Sequence, residues 1–271
     1  ANIGVKVTIV DSRERLLSFL DHEIVDNLMY LMRKQRITLV LGNGSKDIFV
    51  ENNQVVTTTE SGRRVVSDRL LYTAGRTGNT DGLGLTEIGV EIDKRGIIKV
   101  DDMYRTAVPN IYAVGDVIGF PSLASASMDQ GRLAAIHAFK KGDASCINTL
   151  LPFGIWTIPE VSIVGESEET LSAAGQPYEV GICRFFELAR GQIMNDHDGM
   201  LKMIFDPGSR RILGVHIVGE RANELIHLGQ AVMTHGGTLD YFMETVFNYP
   251  TLTEAYKTAA MDGFARLEAK K

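Results

Sequence analysis

An α/β segment running into an α+β segment is the fold class this sequence predicts, and three observations carry it. An apolar, β-branched run at residues 5–10 closes on Asp11 and is followed by an amphipathic helical pattern, the order of a βαβ unit. Up to about residue 150, short strand patterns alternate with glycine-rich turns. Beyond Pro152-Phe153-Gly154 the texture changes to longer strands and three helices, as in an antiparallel sheet backed by helices.

The bulk numbers narrow the class. A chain of 271 residues has room for two domains or one large one. A net charge of −6 with no basic cluster counts against a nucleic-acid or anionic-membrane partner. No apolar run reaches the roughly 18 residues that a membrane span needs. Cys146 and Cys183 form no C-x-x-C pair, which reads as a reducing, cytosolic setting with two ordinary buried thiols.

The elements follow in order. Gly4 suits the turn entering the first strand. A strand closed by an acidic residue is like the second strand of a dinucleotide-binding, Rossmann-like unit, whose first strand and glycine loop lie about 20 residues upstream. From this feature alone, a free-standing domain with an ordinary first strand reads equally well. Asp21 is placed as the N-cap of a helix with apolar positions at Ile24, Val25, Leu28, Met29 and Met32, ending near 34–36. Strands are expected at 37–41, 48–50, 55–59 and 64–66, the last two flanking a hairpin turn at Glu60-Ser61-Gly62. Further strands are expected at 69–73 and 111–116, then a helix at 125–140. In the last part, strands at 178–186, 201–205 and 212–218 are followed by helices at 221–234, 239–247 and 252–267. Asp206-Pro207-Gly208-Ser209 is the turn between the last two strands, and Gly236-Gly237 stops the first of these helices.

Three motifs carry chemistry. They are Leu71-Tyr72-Thr73-Ala74-Gly75-Arg76-Thr77-Gly78-Asn79-Thr80, then 106–116 ending in Val114-Gly115-Asp116, then Phe247-Asn248-Tyr249-Pro250-Thr251-Leu252-Thr253-Glu254. In this order they resemble the pyridine nucleotide–disulfide oxidoreductase family, over residues 4–267. Arg76 to Asp81, Gly119 to Ala126 and Phe247 to Thr251 are most similar to its transhydrogenase branch.

That resemblance implies three parts: residues 1–105 as the remainder of an NAD(P)-binding domain, 106–150 as the carboxy-terminal part of an FAD-binding domain, and a partner-binding dimerisation domain at 151–271. The chain is then expected to be the carboxy-terminal portion of a longer flavoprotein, inactive without most of its flavin site. FAD, NAD and NADP are the implied cofactors, with no metal. The implied activity is Si-specific, FAD-containing hydride exchange between NADPH and NAD, in the cytoplasm, by a homodimer or larger homo-oligomer.

A carboxylate at Asp116, ending a strand of an open sheet, sits where such sheets bind ligands and can accept a polyol hydroxyl. The resemblance makes that hydroxyl part of the flavin ribityl chain. Gly115 permits close approach. A helix opening at Leu123, Ala124 and Ser125 aims its free N–H groups at an electron-rich edge or phosphate, which the resemblance identifies as the flavin pyrimidine. Gly75 falls at the turn the family presents to its nicotinamide cofactor, while Arg76 suits an ion pair as well as a ligand contact. Asp11 favours the ribose 2′-OH of NADH; Arg13 and Arg15 suit the 2′-phosphate of NADPH or a solvated surface equally.

The sequence departs from the disulfide-reducing members at their His-x-x-x-x-Glu motif, where Tyr249 stands with Glu254. A tyrosine, with an unperturbed pKa of about 10, is a poor proton shuttle at neutral pH. Hydride transfer needs positioning and stacking rather than an imidazole acid–base pair. Tyr249 is expected to be structural or flavin-lining across a dimer interface. A dihydrolipoamide dehydrogenase-like reductase and a non-catalytic dimerisation module are the alternatives. The six histidines show no metal-ligand spacing, and Met233 falls on an apolar helix face.

Overall fold

The computed structural model describes residues 1–140 and 149–270. It divides into two compact units, Ala1–Leu70 with Leu150–Lys271, and Leu71–Thr149. In the first unit, β1 (Thr8–Val10) and β2 (Thr38–Val40) pair in parallel, Thr8 opposite Thr38, with α1 (His22–Lys34) as the crossover. The helix starts where Asp21 accepts the N–H groups of Glu23 and Ile24, satisfying two donors the first turn would leave unpaired. Its buried face (Ile24, Val25, Leu28, Met29, Leu31) shares a core with Leu16 and Leu20 and with Val161, Ile163, Met200 and Val218.

A separate antiparallel sheet of β3 (Ser45–Glu51), β4 (Gln54–Thr59) and β5 (Arg64–Ser67) follows, closed by a turn in which Gly62 N–H donates to the Thr59 carbonyl. The expected strand at 69–73 does not form. It pairs with no described strand, and Leu71 and Tyr72 are 85% and 72% exposed. Strand geometry persists only where a neighbour takes up the backbone donors and acceptors.

The second unit has a small core of Val90, Ile98 and Ala113. The strand expected at 111–116 shrinks to an isolated bridge between Arg105 and Tyr112, after which Gly115–Ile118 is a 3-10 turn. The helix expected next is present as α2 (Ala124–Ala138).

The rest of the first unit comprises β6 (Phe153–Ile155), β7 (Val161–Gly165), α3 (Glu168–Ala173), β8 (Glu179–Arg184), α4 (Ala189–Met194), β9 (Met200–Phe205), β10 (Ile212–Val218), α5 (Ala222–Thr234), α6 (Leu239–Glu244) and α7 (Glu254–Ala269). The strands form one antiparallel sheet ordered β6-β7-β10-β9-β8. At the β9–β10 turn, the Asp206 carboxylate accepts from the Ser209 N–H and hydroxyl at 2.7 Å each. Phe185, Phe205, Phe242 and Tyr256 fill the core under α5 and α7, with Met233 among them. Gly181 on β8 lets α7 come close: a Cβ there would stand 2.0 Å from the Ala259 carbonyl oxygen. Among the described residues no helix is long and apolar enough to cross a membrane.

Candidate functional site

In the first unit, β1 delivers Asp11 into a turn. Its carboxylate accepts the Arg13 backbone N–H at 2.9 Å, Nε at 3.0 Å and Nη2 at 2.7 Å. The Arg13 hydrogen bond holds the Asp11 carboxyl below its usual range, against the opposing effect of burial. Arg15 faces elsewhere: it pairs with Asp26 on α1 and donates to the His22 carbonyl at 3.3 Å. The structure therefore brings Asp11 and Arg13 together as a fork-on-carboxylate pair, apart from Arg15. Such a pair carries an acceptor for a hydroxyl and a bidentate donor for a phosphate on neighbouring atoms.

In the second unit, Gly75 has φ +107°, and a Cβ there would meet nothing within 4 Å, so an open turn is what glycine supplies. Arg76 Nη1 lies 2.6 Å from Asp116 Oδ2, an ion pair between partly exposed side chains. Asp116 is presented by the 3-10 turn rather than by the end of a sheet strand, because the run before it has no ladder to extend. Gly115, at φ +78°, donates its N–H to Gln130 Oε1 at 2.7 Å and so ties that turn to α2. Leu123, the N-cap of α2, offers no side-chain cap, and Ala124 and Ser125 are exposed. The first N–H groups and the positive end of a 15-residue helix are thus left to an outside acceptor. A partly exposed carboxylate beside an uncapped helix start fits a polyol-bearing ring system with an electron-rich edge.

Tyr249 is 74% exposed in the turn before α7. Glu254 Oε2 accepts the Thr251 N–H at 3.1 Å, so this glutamate closes the turn that precedes its own helix. Among the described residues no imidazole is hydrogen-bonded to it.

Sequence reasoning missed a buried charge. Lys202, inside β9, is fully buried and donates to Asp21 Oδ1 at 2.9 Å, Glu23 Oε2 at 3.0 Å and Glu168. Burial works against the ammonium, and the Glu168 and Asp21 carboxylates outweigh it, holding Lys202 above its usual range. Asp21, Glu23 and Glu168 are close enough together to suit a cation, and the Lys202 ammonium is bonded to all three. The signal was a lysine within an otherwise apolar strand, a residue type rarely fully buried without partners. Beside it is an open cavity of about 490 Å³ lined by His22, Glu23, Asp26, Glu168, Glu169, Ser172 and Tyr178, which includes none of the expected ligand residues. Cys183 is buried, and desolvation, aided by Glu187, pushes its thiol up to about 12. Cys146 lies outside the described residues.

A parallel βαβ start ending in an acidic turn, joined to an antiparallel sheet backed by helices, marks the class: an α/β segment running into an α+β one. The chain belongs to the pyridine nucleotide-disulphide oxidoreductase family, whose pattern matches residues 1–131 and whose dimerisation domain matches residues 151–260. The chain is 48% identical to the soluble pyridine nucleotide transhydrogenase of Mycobacterium bovis over 99% of its own length and 57% of that protein. With the protein of the same name from Yersinia pestis it shares 49% identity over 98% of its length and 58% of that relative. It therefore spans under two thirds of these relatives. Among solved structures, the HOCl-induced flavoprotein disulfide reductase RclA of Escherichia coli superimposes with a TM-score of 0.90 at 27% identity, over 96% of this chain and 60% of that one.

Proposed function

We propose that the full-length protein is a flavin-dependent transhydrogenase that passes hydride from NADPH to NAD, working in the cytoplasm as a homodimer or larger homo-oligomer through residues 151–271. Residues 1–105 serve the nicotinamide nucleotide and 106–150 the FAD. One observation carries the choice of reaction: Tyr249 stands where a disulfide reductase needs its imidazole, and Glu254 is committed to the Thr251 N–H. Thiol–disulfide exchange needs a base that this arrangement lacks, whereas hydride transfer does not.

FAD, when bound, supplies the hydride-carrying chemistry. The residues of this chain bind and orient. Asp116 and Gly115 hold the polyol side, with Asp116 exchanging Arg76 for a hydroxyl. Leu123, Ala124 and Ser125 place the start of α2 against the electron-rich ring edge, where its dipole favours negative charge. Gly75 gives the nicotinamide room. Asp11 accepts the ribose 2′-OH of NAD, and Arg13 takes the 2′-phosphate of NADP, so one pair serves both nucleotides in turn.

The test is NADPH-driven reduction of thio-NAD by the full-length protein. Parallel initial-velocity lines are expected, since the two nucleotides alternate at one site. Strong lipoamide reduction with no thio-NAD reduction would replace this reading by the dihydrolipoamide dehydrogenase-like one.

A further inference from the structure

We propose that the buried Asp21–Lys202 pair is the positioning element at the exit of the loop 11–21, acting with the backbone bonds that hold its entry to set where the Asp11 and Arg13 side chains stand; this rests on their assignment to the ribose end of the nucleotide. The loop has no regular structure. Leu16 and Leu20 are buried beneath it, and Phe19 packs edge-on against Phe153 with centroids 6.3 Å apart. At its entry the loop is pinned by backbone hydrogen bonds: Asp11 N–H donates to the Val40 carbonyl at 3.0 Å, and the Arg13 and Asp11 carbonyls accept the Gly42 and Asn43 N–H groups at 2.8 and 3.1 Å. Beyond Arg13 the directional restraint comes from charged hydrogen bonds in a buried setting.

The exit of the loop is held by such bonds. The Asp21 carboxylate caps α1 through the Glu23 and Ile24 N–H groups, at 3.1 and 3.3 Å, and accepts Lys202 Nζ at 2.9 Å from the middle of β9. Glu169 Oε1 accepts the His22 N–H at 3.1 Å from α3. Arg15 carries this position back along the loop, since it holds the His22 carbonyl and Asp26 and lies two residues from Arg13. A buried ion pair is a weak means of stabilisation compared with packed apolar residues, and in some folds it serves to specify geometry instead. Here that geometry joins the nucleotide-side loop to the sheet of the interface part.

The experiment is made on full-length protein carrying Asp21→Asn together with Lys202→Met. The pair removes the two fully buried charges, Asn keeps the helix cap, and the partly exposed Glu23 and Glu168 are left to solvent. Expected are nicotinamide-nucleotide Kd values raised about tenfold, with flavin content and saturated turnover kept within about twofold. Amides of residues 12–20 should exchange about tenfold faster, with α5 and α7 unchanged. Glu168→Gln, at the partly exposed edge of the cluster, should give a smaller change in the same direction, and it decides by the same two readouts if the double variant does not fold. Unchanged Kd and unchanged loop exchange overturn the proposal. So does a lowered Tm with unchanged Kd, which would assign the pair a purely structural role. Failure of the unaltered protein to bind NADH or NADPH would instead sink the transhydrogenase reading, with loop exchange still reporting on the anchor.

Discussion

Asp11 and Arg13 make the sharpest residue-level prediction, because each half of the pair has its own nucleotide. In full-length protein, Arg13→Ala should raise KM for NADPH about tenfold more than for NADH, through loss of the bidentate donor. Asp11→Ala should do the reverse, and steady-state kinetics with both nucleotides checks the sign. Cys183 should stay unmodified by iodoacetamide at pH 8 until the protein is denatured, since burial holds the thiol protonated; peptide mass mapping reads this directly. The Asp21 cap was legible in the sequence, because capping depends on a short side chain next to a helical period. The partners of Lys202 were not, because they lie in three segments and only folding brings them together. Asp116 is expected at the end of a strand and stands in a 3-10 turn: an Ile-Tyr-Ala-Val run reports apolarity, and cannot say whether a neighbouring strand exists for it.

At the level of elements, the most demanding contact is that of α7 with β8. Gly181→Ala would drive a methyl group into the Ala259 carbonyl and the Gly263 N–H, 2.0 and 2.9 Å from the new carbon, so helix and strand must separate. A loss of about 2 kcal/mol is expected from urea denaturation of the full-length protein, within the range for overpacked interiors. Strong periods gave α1, α2, α5, β9 and β10 nearly in place. The short pieces β6, β7, α3 and α4 went unread, as three to six residues hold too little periodicity to separate strand from helix. Helix α6 stops at Glu244 and α7 starts at Glu254, leaving Tyr249 on a turn between them. A proline can open a helix at its first position, but here the chain turns again before the helix begins.

For the molecule as a whole, stability should depend on acidity through His216. This side chain is fully buried on β10; Nε2 donates to the Glu166 carbonyl at 2.8 Å, and Nδ1 has no partner among the described residues. Desolvation pushes it below its ordinary value, against the pull of Asp21 and Glu169 and with the help of Lys202. The folded chain therefore refuses a proton that the unfolded chain accepts. Stability is complete above about pH 6.5 and falls on acidification, by at most about 1.4 kcal/mol per pH unit from this group. Thermal melts of full-length protein from pH 7.5 to 5.5 should show that slope, and His216→Gln should flatten it. Exposed Trp156, Ile158 and Val246, in the part matching the dimerisation domain, should become protected from solvent on self-association. Sedimentation should find no monomer at micromolar concentration, and a monomeric species there would refute the homo-oligomer. The ammonium within β9 also bears on synthesis, for it closes a contact between residues 181 positions apart. At roughly 5 to 20 residues per second, the ribosome leaves the first helix without its anchor for roughly 10 to 40 seconds. During that interval α1 has only β1 and β2 to pack on, and the part of its apolar face that meets Val161, Ile163, Met200 and Val218 stays uncovered, which makes the nascent segment a natural client for a holding chaperone.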